Sequence, residues 1–504
     1  MSASTAIIAA VLLPLGAAPV IALLGRRPNV REAATLLAGL GTFIAVCTLV
    51  PKVAAGARPS VHLVEVFPGL SLAFEVEPLG ALFALIAAGL WMATSVYSIG
   101  YMRGHHEENQ TRFFAFFALA IAAALGAAFA GNMLTLFFCY EALTLSTYPL
   151  VTHYRGSDVQ TGDHIPMAVL ESDPMSWRSA HGGRVYMGVL LSTSICFLLL
   201  AMAATYHLTG TLAFVPGGIL AGKAPSWILG VLLFLYAFGT GKAALMPFHR
   251  WLPAAMVAPA PVSALLHAVA VVKAGVFTIL KVVVYIFGID LLADTGLGTY
   301  LAYAACATIL IGSLVAMTKD NLKARLAYST VSQLSYIVLG VALANSWGVL
   351  GGSLHIAMHA FGKITLFFCA GAIAVALHKT EISEMKGIGR QMPWTMGAFL
   401  VGSLSIIGLP PLGGAWSKWY LILAGLDAEQ YVAIGVLLVS SLLNIAYLLP
   451  VAVNAFFYAA PDGESGLQEA PLACVLPLIC TALGGLVLFF YPDPLLELCR
   501  QIGG

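Results

Sequence analysis

Long apolar stretches, separated by short polar loops, fill almost the whole sequence. Fourteen of them are close to the length of about 20 residues that a helix needs to cross a bilayer. These predicted spans lie at residues 5–25, 33–51, 78–100, 112–131, 133–153, 184–207, 227–248, 259–289, 298–317, 322–344, 348–377, 393–424, 430–458 and 470–491. The pattern predicts an all-α polytopic membrane protein with both termini on one side. The first run, near Ala6, follows no basic segment, so we expect a retained helix rather than a cleaved signal.

Two of the predicted spans contain helix-breaking residues. Span seven runs into MPFHRWLP, which contains Pro247, and span twelve contains IGLPPLGGAWSKWY, with Pro410, Pro411, Gly413 and Gly414. Proline removes a backbone donor, and the carbonyl groups that it frees need other partners. Matching interruptions in the two halves of a transporter indicate inverted repeats with a site near the bilayer midplane.

We therefore predict two inverted five-helix repeats, in which helices seven and twelve are broken. The N-terminal helices 1–3 occupy residues 1–111, and the first repeat, helices 4–8, occupies 112–290. The second repeat, helices 9–13, occupies 291–458, and the C-terminal helix 14 lies within 459–504. Each repeat would build one half-channel, which water would enter at the helix break.

The composition supports a membrane protein and excludes several other classes. The chain has 504 residues, of which 60% are hydrophobic and only 9% are charged, against about 25% charged in an average soluble domain. The formal net charge of +1 gives no electrostatic basis for binding nucleic acid. The eight cysteines are scattered and form no C-x-x-C motif. We therefore predict no iron–sulfur cluster, structural zinc or disulfide framework.

The distribution of basic residues predicts the orientation. If the N-terminus is outside, fifteen lysines and arginines lie in inside loops and four lie outside. Because inside loops of membrane proteins are enriched in basic residues, this bias predicts that both termini face the periplasm. We expect a multi-pass protein of the bacterial inner membrane.

The five remaining basic residues, all lysines, lie inside predicted spans: Lys242, Lys273, Lys281, Lys363 and Lys418. A charge at the bilayer centre costs about 2.5–3.5 kcal/mol on insertion scales, so such residues are rare and mark ion or proton pathways. A lysine near a helix end can instead extend its ammonium group to the headgroups. We favour this alternative for Lys281. A buried lysine can release its proton, whereas an arginine keeps it, so the bias toward lysine favours proton handling.

Glu141, in FFCYEALTLSTYPL on span five, is the one acidic residue deep in a predicted span. We predict that it is the counter-ion of Lys242, in GTGKAALMPFHRWLP on span seven. A structural carboxylate is the alternative.

Histidines in the predicted spans add to this set of lysines and Glu141, and together they form a row of ionisable groups. His355, His359 and Lys363 occur at i, i+4 and i+8 in span eleven, so they share one helix face. His267 and Lys273, in span eight, are six residues apart and would extend the path along the membrane normal. Two histidines at i, i+4 also suit zinc, and packing histidines are a further alternative. No H-E-x-x-H motif or additional carboxylate ligand accompanies them, so we predict a proton relay without metal.

Two longer segments carry a family resemblance. KAALMPFHRWLPAAMVAPAPVSALLHAVAVVKAGVF, at 242–277, resembles the signature of the antiporter-like subunits of respiratory complex I and Mrp-type cation/proton antiporters. NLKARLAYSTVSQLSYIVLG, at 321–340, resembles the same family's helix-ten signature. The similarity covers roughly residues 75–450, and the length looks most like the Mrp D subunit. Two features differ from the family: Ala254, Ala255 and Met256 follow the LP of span seven, and the loop after span five is longer.

The resemblance implies proton translocation without a bound redox cofactor. It places the family's helix-five glutamate at Glu141 and its helix-seven, helix-eight and helix-twelve lysines at Lys242, Lys273 and Lys418. The predicted path, from a cytoplasmic entrance to the far side, runs through Lys242, His267, Lys273, His355, His359, Lys363 and Lys418. Glu141 would adjust the proton affinity of Lys242.

These residues predict a proton-translocating subunit that works with other membrane subunits in an Mrp-type antiporter or a complex I-like assembly. With no redox centre of its own, the chain could belong to an NADH-quinone oxidoreductase-like translocase. One alternative is an ion-conducting partner of a peripheral enzyme, as in a bicarbonate-accumulating or membrane-bound hydrogenase-type complex. A stand-alone small-molecule carrier is disfavoured, because the sequence offers relay residues rather than an aromatic pocket. Sodium is the alternative ion, but it prefers oxygen ligands and only Glu141 supplies a deep carboxylate.

Overall fold

The structure, a computed structural model, describes residues 1–67, 70–154, 174–459 and 466–503. A helical segment lies at each of the fourteen predicted spans. In chain order the segments are α1 (Ala3–Leu23), α2 (Pro28–Ala54), α3 (Pro78–Gly104), α4 (Gln110–Ala128), α5 (Met133–Val151), α6 (Met175–Thr209), α7 (Ser226–Gly239), α8 (Ala260–Phe287), α9 (Leu297–Met317), α10 (Leu322–Ala342), α11 (Ser346–Leu377), α12 (Pro393–Ile407), α13 (Gly414–Asp427), α14 (Tyr431–Phe457) and α15 (Leu472–Phe490).

Most of these helices meet the length and composition of a membrane span. Eleven helices among the described residues are long and apolar enough to cross a bilayer. The segments α7 and α12 are apolar but shorter, and α10, although 21 residues long, carries a polar centre. The chain is therefore a multi-pass α-helical membrane protein. The exact number of crossings, the repeats and the domain boundaries stay predictions.

Both predicted helix breaks are present. Helix α7 ends at Gly239, a 3₁₀ turn follows at Gly241–Ala243, and regular structure resumes only at the one-turn helix Trp251–Ala254. Predicted span twelve forms two helices, α12 and α13, which six residues separate. Gly408 ends α12 with φ +88°, a conformation that favours glycine. Proline lies in both breaks, where the missing N–H leaves the regular ladder incomplete.

A β-hairpin and a final short helix lie outside the predicted spans. Strands β1 (Ser60–Phe67) and β2 (Leu70–Glu75) pair antiparallel between α2 and α3. The hairpin contacts the α4–α5 turn, where Glu75 N–H donates to the Phe129 carbonyl over 2.7 Å. Helix α16 (Asp493–Arg500) follows α15.

The loop after span five is only partly described. The sequence predicts a polar loop at about 155–183, with Asp158, Asp163, His164, Glu171, Asp173 and Trp177. Residues 155–173 lie outside the described ranges, and the first five of these side chains lie there. Trp177 belongs to α6, which begins nine residues before the predicted boundary at 184.

The centre of the molecule is built from the helices that carry the predicted path. In the most apolar 18-residue stretch of α8, every residue is buried. In the corresponding stretches of α3 and α11, 72% of the residues are buried. In contrast, only 33% of the residues in these stretches of α1, α2 and α14 are buried, so these helices form the periphery. The ionisable residues of α8 and α11 therefore lie in the protein interior, where a helix end cannot bring them to water.

Candidate proton path

Lys242 lies in the break after α7, on the 3₁₀ turn that interrupts the span. Its side chain is fully buried, and its Nζ donates to the Tyr140 carbonyl over 2.8 Å and to Thr144 Oγ1 over 2.5 Å. The ammonium group also lies 3.1 Å from the centroid of the Tyr140 ring, a cation–π contact. On its other side the turn packs so closely on Gly275 of α8 that a Cβ there would overlap the Lys242 carbonyl group. Lys242 is thus held between α5 and α8.

Glu141 is adjacent to these partners but does not form the predicted ion pair. Among the described residues, neither carboxylate oxygen lies within 4.0 Å of Lys242 Nζ, and neither has a hydrogen-bond partner. The charge of Glu141 still acts on Lys242 over a longer distance. In this structure the ammonium group is held by α5 backbone and hydroxyl oxygens.

Lys273 and His359 join the two predicted halves. Lys273 Nζ lies 2.5 Å from His359 Nδ1, which links α8 to α11. His267 lies six residues earlier on α8, within the π-helical turn Leu265–Val269, and the centroid of its ring is 4.6 Å from that of Phe367. Neither ring nitrogen of His267 has a partner among the described side chains. A wide π turn in a helix occurs frequently at functional sites.

The contact between Lys273 and His359 begins a row of buried ionisable groups, which continues from His359 toward the second helix break. The rings of His355 and His359 lie 5.7 Å apart, and His355 Nδ1 lies 2.8 Å from Ser417 Oγ on α13. The next residue, Lys418, donates from Nζ to the Ile407 carbonyl over 2.9 Å and to a serine hydroxyl on α14 over 3.0 Å. Together with the Lys273–His359 contact, these contacts connect α8, α11, α13, α14 and the last turn of α12.

Tyr336 of α10 covers this part of the row. Its ring stacks on His355 with centroids 5.5 Å apart, and Lys418 Nζ lies 5.0 Å from the same ring. A cavity of about 500 Å³ adjoins Lys418 and is lined by Gly408, Pro410 and Trp416 among others. The row thus ends beside an opening at the second helix break.

Lys363 forms a branch rather than a step between His359 and Lys418. Its Nζ donates to Ser329 Oγ over 2.6 Å and to the Leu326 carbonyl over 3.2 Å, both on α10. Ser329 also accepts the hydroxyl proton of Tyr447 over 2.9 Å, and Tyr447 in turn contacts Asn444. The three residues of the α11 face therefore have different partners, although they share one side of the helix.

Lys281 contradicts the sequence prediction. The side chain is only 1% exposed and does not extend to the headgroups. Its Nζ forms an ion pair with Glu77 Oε1 at 2.9 Å and faces the Phe214 ring at 4.4 Å. Glu77 caps the N-terminus of α3, accepting the Gly80 N–H over 2.8 Å, and also accepts the Tyr285 hydroxyl proton over 2.8 Å. The prediction of a headgroup contact is wrong because a buried carboxylate is nearer.

The sequence matches two known protein families. Residues 130–444 match the family described as NADH:quinone oxidoreductase/Mrp antiporter, TM. Residues 68–114 match the family described as NADH-Ubiquinone oxidoreductase (complex I), chain 5 N-terminus. The chain belongs to the NADH:quinone oxidoreductase/Mrp antiporter family. This confirms the resemblance that the sequence motifs indicated.

Relatives in this family cover most of the chain. NADH-quinone oxidoreductase subunit N of Desulforudis audaxviator is 31% identical over 446 residues, which is 85% of this chain and 84% of the relative. NAD(P)H-quinone oxidoreductase chain 5 of Synechocystis sp. is 30% identical over 69% of this chain, which spans about half (49%) of that longer relative. The structure of the Mrp complex from a Dietzia species contains a chain that covers 100% of this one, with a TM-score of 0.85 and 23% identity. That similarity establishes the shared fold.

Several polar groups that contact the buried lysines and histidines were not predicted from the sequence. They are hydroxyl groups or ring faces that contact the row: Tyr140, Thr144, Ser329, Tyr336, Ser417, Ser441 and Tyr447. The run STVSQLSY in span ten is unusually polar for a buried helix and could have indicated Ser329 and Tyr336. A hydroxyl on α5 or α13 has no such signal, because single serines and threonines are common in membrane helices.

Proposed function

We propose that this chain is a proton-translocating membrane subunit of a multisubunit Mrp-type cation/proton antiporter or complex I-like assembly. The observation that carries the proposal is the buried row from Lys273 through His359 and His355 to Ser417 and Lys418. Ionisable groups inside a membrane protein are costly, and they persist where they conduct ions or protons. A row of nitrogen and hydroxyl groups offers proton carriers but few oxygen ligands for sodium.

In this proposal, protons enter from the cytoplasmic side at the first helix break, where Lys242 is held. They reach Lys273 on α8, with His267 as a second carrier on that helix, and cross to α11 at the Lys273–His359 contact. His355 passes them toward Lys418, which adjoins the cavity at the second break, and they leave from there to the far side. Lys363 exchanges protons with the hydroxyl groups of α10.

Glu141 would act on Lys242 through its charge rather than by contact. An ionised Glu141 favours the ammonium form of Lys242, and a movement of α5 relative to the break would change that preference. The carboxylate oxygens have no hydrogen-bond partner among the described residues, so they are free to take part in such an exchange.

Other membrane subunits and the bacterial inner membrane are the proposed setting. The similar Dietzia chain comes from an Mrp complex, and the Desulforudis relative is one subunit of an oxidoreductase. We propose that both termini face the periplasm, as the distribution of lysine and arginine indicates. A cysteine introduced at Ser4 should react with a membrane-impermeant reagent from outside intact cells, and labelling only after permeabilisation would contradict this orientation.

The function can be tested on the complete complex. The tagged chain would be purified in mild detergent, its partners identified by mass spectrometry, and the complex reconstituted into liposomes with an internal pH dye. We expect proton movement that requires this subunit. Sodium movement through the subunit without any pH change would contradict the proposal. Co-purification with a peripheral enzyme would favour the alternative of an ion-conducting partner of that enzyme.

A further inference from the structure

A second cluster of ionisable side chains surrounds Glu107, in the loop between α3 and α4. The Glu107 side chain is only 7% exposed and accepts the Tyr154 hydroxyl proton over 2.7 Å. His105 Nδ1 lies 3.6 Å from one carboxylate oxygen, and His153 Nε2 lies 3.7 Å from the other. A buried carboxylate with two histidines and a tyrosine is a strong proton-binding group, and no residue of the row described above belongs to it.

The charged groups that face this carboxylate come from every neighbouring element. Lys323, at the start of α10, is near enough for its charge to act on Glu107. Arg112 of α4 donates to the His153 carbonyl over 2.7 Å. Glu108, the next residue along the chain, is exposed. The ring of His378, at the end of α11, lies 6.0 Å from that of His105.

The protonation of the cluster follows from these contacts. Burial raises the pKa of the Glu107 carboxyl, and the Tyr154 hydrogen bond together with the charges of His105 and Lys323 offsets part of that rise. Burial, assisted by the charge of Arg112, lowers the pKa of His153, just beyond the end of α5, to about 4. His153 is therefore neutral near pH 7, and Glu107 takes up a proton at a higher pH than a solvated carboxylate does.

Contacts connect the cluster to the beginning of α8. The Tyr154 hydroxyl group, which contacts Glu107, also interacts with the hydroxyl group of Tyr101, and Tyr101 interacts with the backbone of Ala260. Lys323 Nζ donates to the Ala258 carbonyl over 2.8 Å. Ala260 is the first residue of α8, and His267 follows two turns later.

Lys323 also couples the cluster to the buried row by charge. Its ammonium group acts electrostatically on Glu107 on one side and on the ring of His267 on the other. The His267 ring has no hydrogen-bond partner among the described residues, and it lies on the π turn, where the wider backbone spacing leaves carbonyl groups less tightly paired. His267 is thus the first residue of the proposed proton path that a proton from the Glu107 cluster would meet.

We propose that Glu107, surrounded by His153, Tyr154 and Lys323, is a second proton-loading site on the predicted cytoplasmic side, which supplies His267 in addition to the entrance at Lys242. This inference rests on the proposed function. A proton from water forms the O–H bond of the Glu107 carboxyl group. In the transfer that bond breaks and an N–H bond forms on His267. For this transfer the protonated Glu107 donates to the Tyr154 oxygen, Tyr154 gives its own hydroxyl proton to Tyr101, and Tyr101 gives its proton to a water molecule that protonates His267, so that each hydroxyl group gives one proton and receives one.

The test compares Glu107→Gln with Glu108→Gln in the complete complex. Both variants remove one carboxylate from the same loop, but only Glu107→Gln removes the buried proton acceptor, and its amide can still accept from Tyr154. We expect Glu107→Gln to slow proton uptake by about tenfold above pH 7, the scale of a lost proton-transfer group. The loss should shrink as protons become abundant at lower pH, so the pH profile changes shape. Tyr154→Phe should reproduce this change, because it keeps the ring and removes the hydroxyl relay.

The outcomes separate this inference from the proposed function. If Lys242→Ala slows proton movement at every pH and Glu107→Gln behaves as Glu108→Gln does, the loading site is rejected and the function stands. If Lys242→Ala has no effect, the proposed function itself fails. A Glu107→Gln defect of the same size at every pH, with less complex in the membrane, would overturn the loading role in favour of a purely structural one.

Discussion

Complexes that carry Lys242→Ala are expected to move protons at least about a hundredfold more slowly than the wild type, since a positioned proton-transfer group contributes about 10²–10⁴-fold. Lys242 is fully buried in the break after α7, and its Nζ bridges the Tyr140 carbonyl and Thr144 Oγ1. Removal of the ammonium group leaves these acceptors without a proton carrier at the first helix break. The rate of the pH change in liposomes is the measurement.

Two further variants separate proton transfer from packing at this position. Lys242→Arg keeps a positive charge but cannot release its proton near neutral pH. We therefore expect nearly the same loss as with alanine, in complexes that assemble normally. Lys223→Ala, in the exposed loop before α7, removes a lysine from the surface and should leave the rate unchanged. Wild-type rates in Lys242→Arg would show that this side chain acts only through its charge.

The Glu77–Lys281 pair is expected to have the largest effect on stability. Glu77→Ala leaves the Lys281 ammonium group buried without its carboxylate and removes the cap of α3. Loss of one partner from a buried pair costs about 3–5 kcal/mol. We expect a marked fall in the thermal unfolding temperature of the complex in detergent and less of this subunit in the membrane.

A double variant tests the reason for that loss. In Glu77→Leu with Lys281→Met, no unpaired charge remains, and apolar side chains can replace a buried ion pair at little cost. The double variant should therefore be more stable than Glu77→Ala, although the α3 cap and the Tyr285 hydrogen bond are still lost. Glu75→Ala, in β2, removes an acid that forms no ion pair within 4.0 Å in the described ranges. If Glu77→Ala were as stable as Glu75→Ala, the ion pair would not hold α3 to α8.

The features that could be predicted from the sequence are those set by local physics. The length of an apolar run determines whether a helix can span a bilayer, so the helical segments lie where the pattern placed them. Proline breaks a helix through its own missing N–H, and both interruptions are present at Pro247 and at Pro410 with Pro411. Buried lysines and histidines stand out in a 9% charged chain, which is why the row could be found.

Contacts between distant segments could not be predicted in this way. Glu77 precedes Pro78 at the edge of a span and looks like an ordinary loop acid, yet its hydrogen bond to Tyr285 joins residues 208 positions apart. Glu141 was the expected partner of Lys242, but the ammonium group turns to the backbone of α5. Which oxygen a buried lysine selects depends on the relative placement of whole helices. Apolar periodicity does not encode that placement.

The central claim is that protons cross between the two halves at the Lys273–His359 contact, and proton flux in His359→Gln tests it most directly. Glutamine fills a similar volume and can accept from Lys273 Nζ, but it cannot carry a proton between its two ends. His207→Gln, on the exposed side of α6, makes the same chemical change away from the row. The proposed path predicts a loss of at least about tenfold in His359→Gln and none in His207→Gln. Equal, wild-type flux in both variants, with normal assembly, would contradict it.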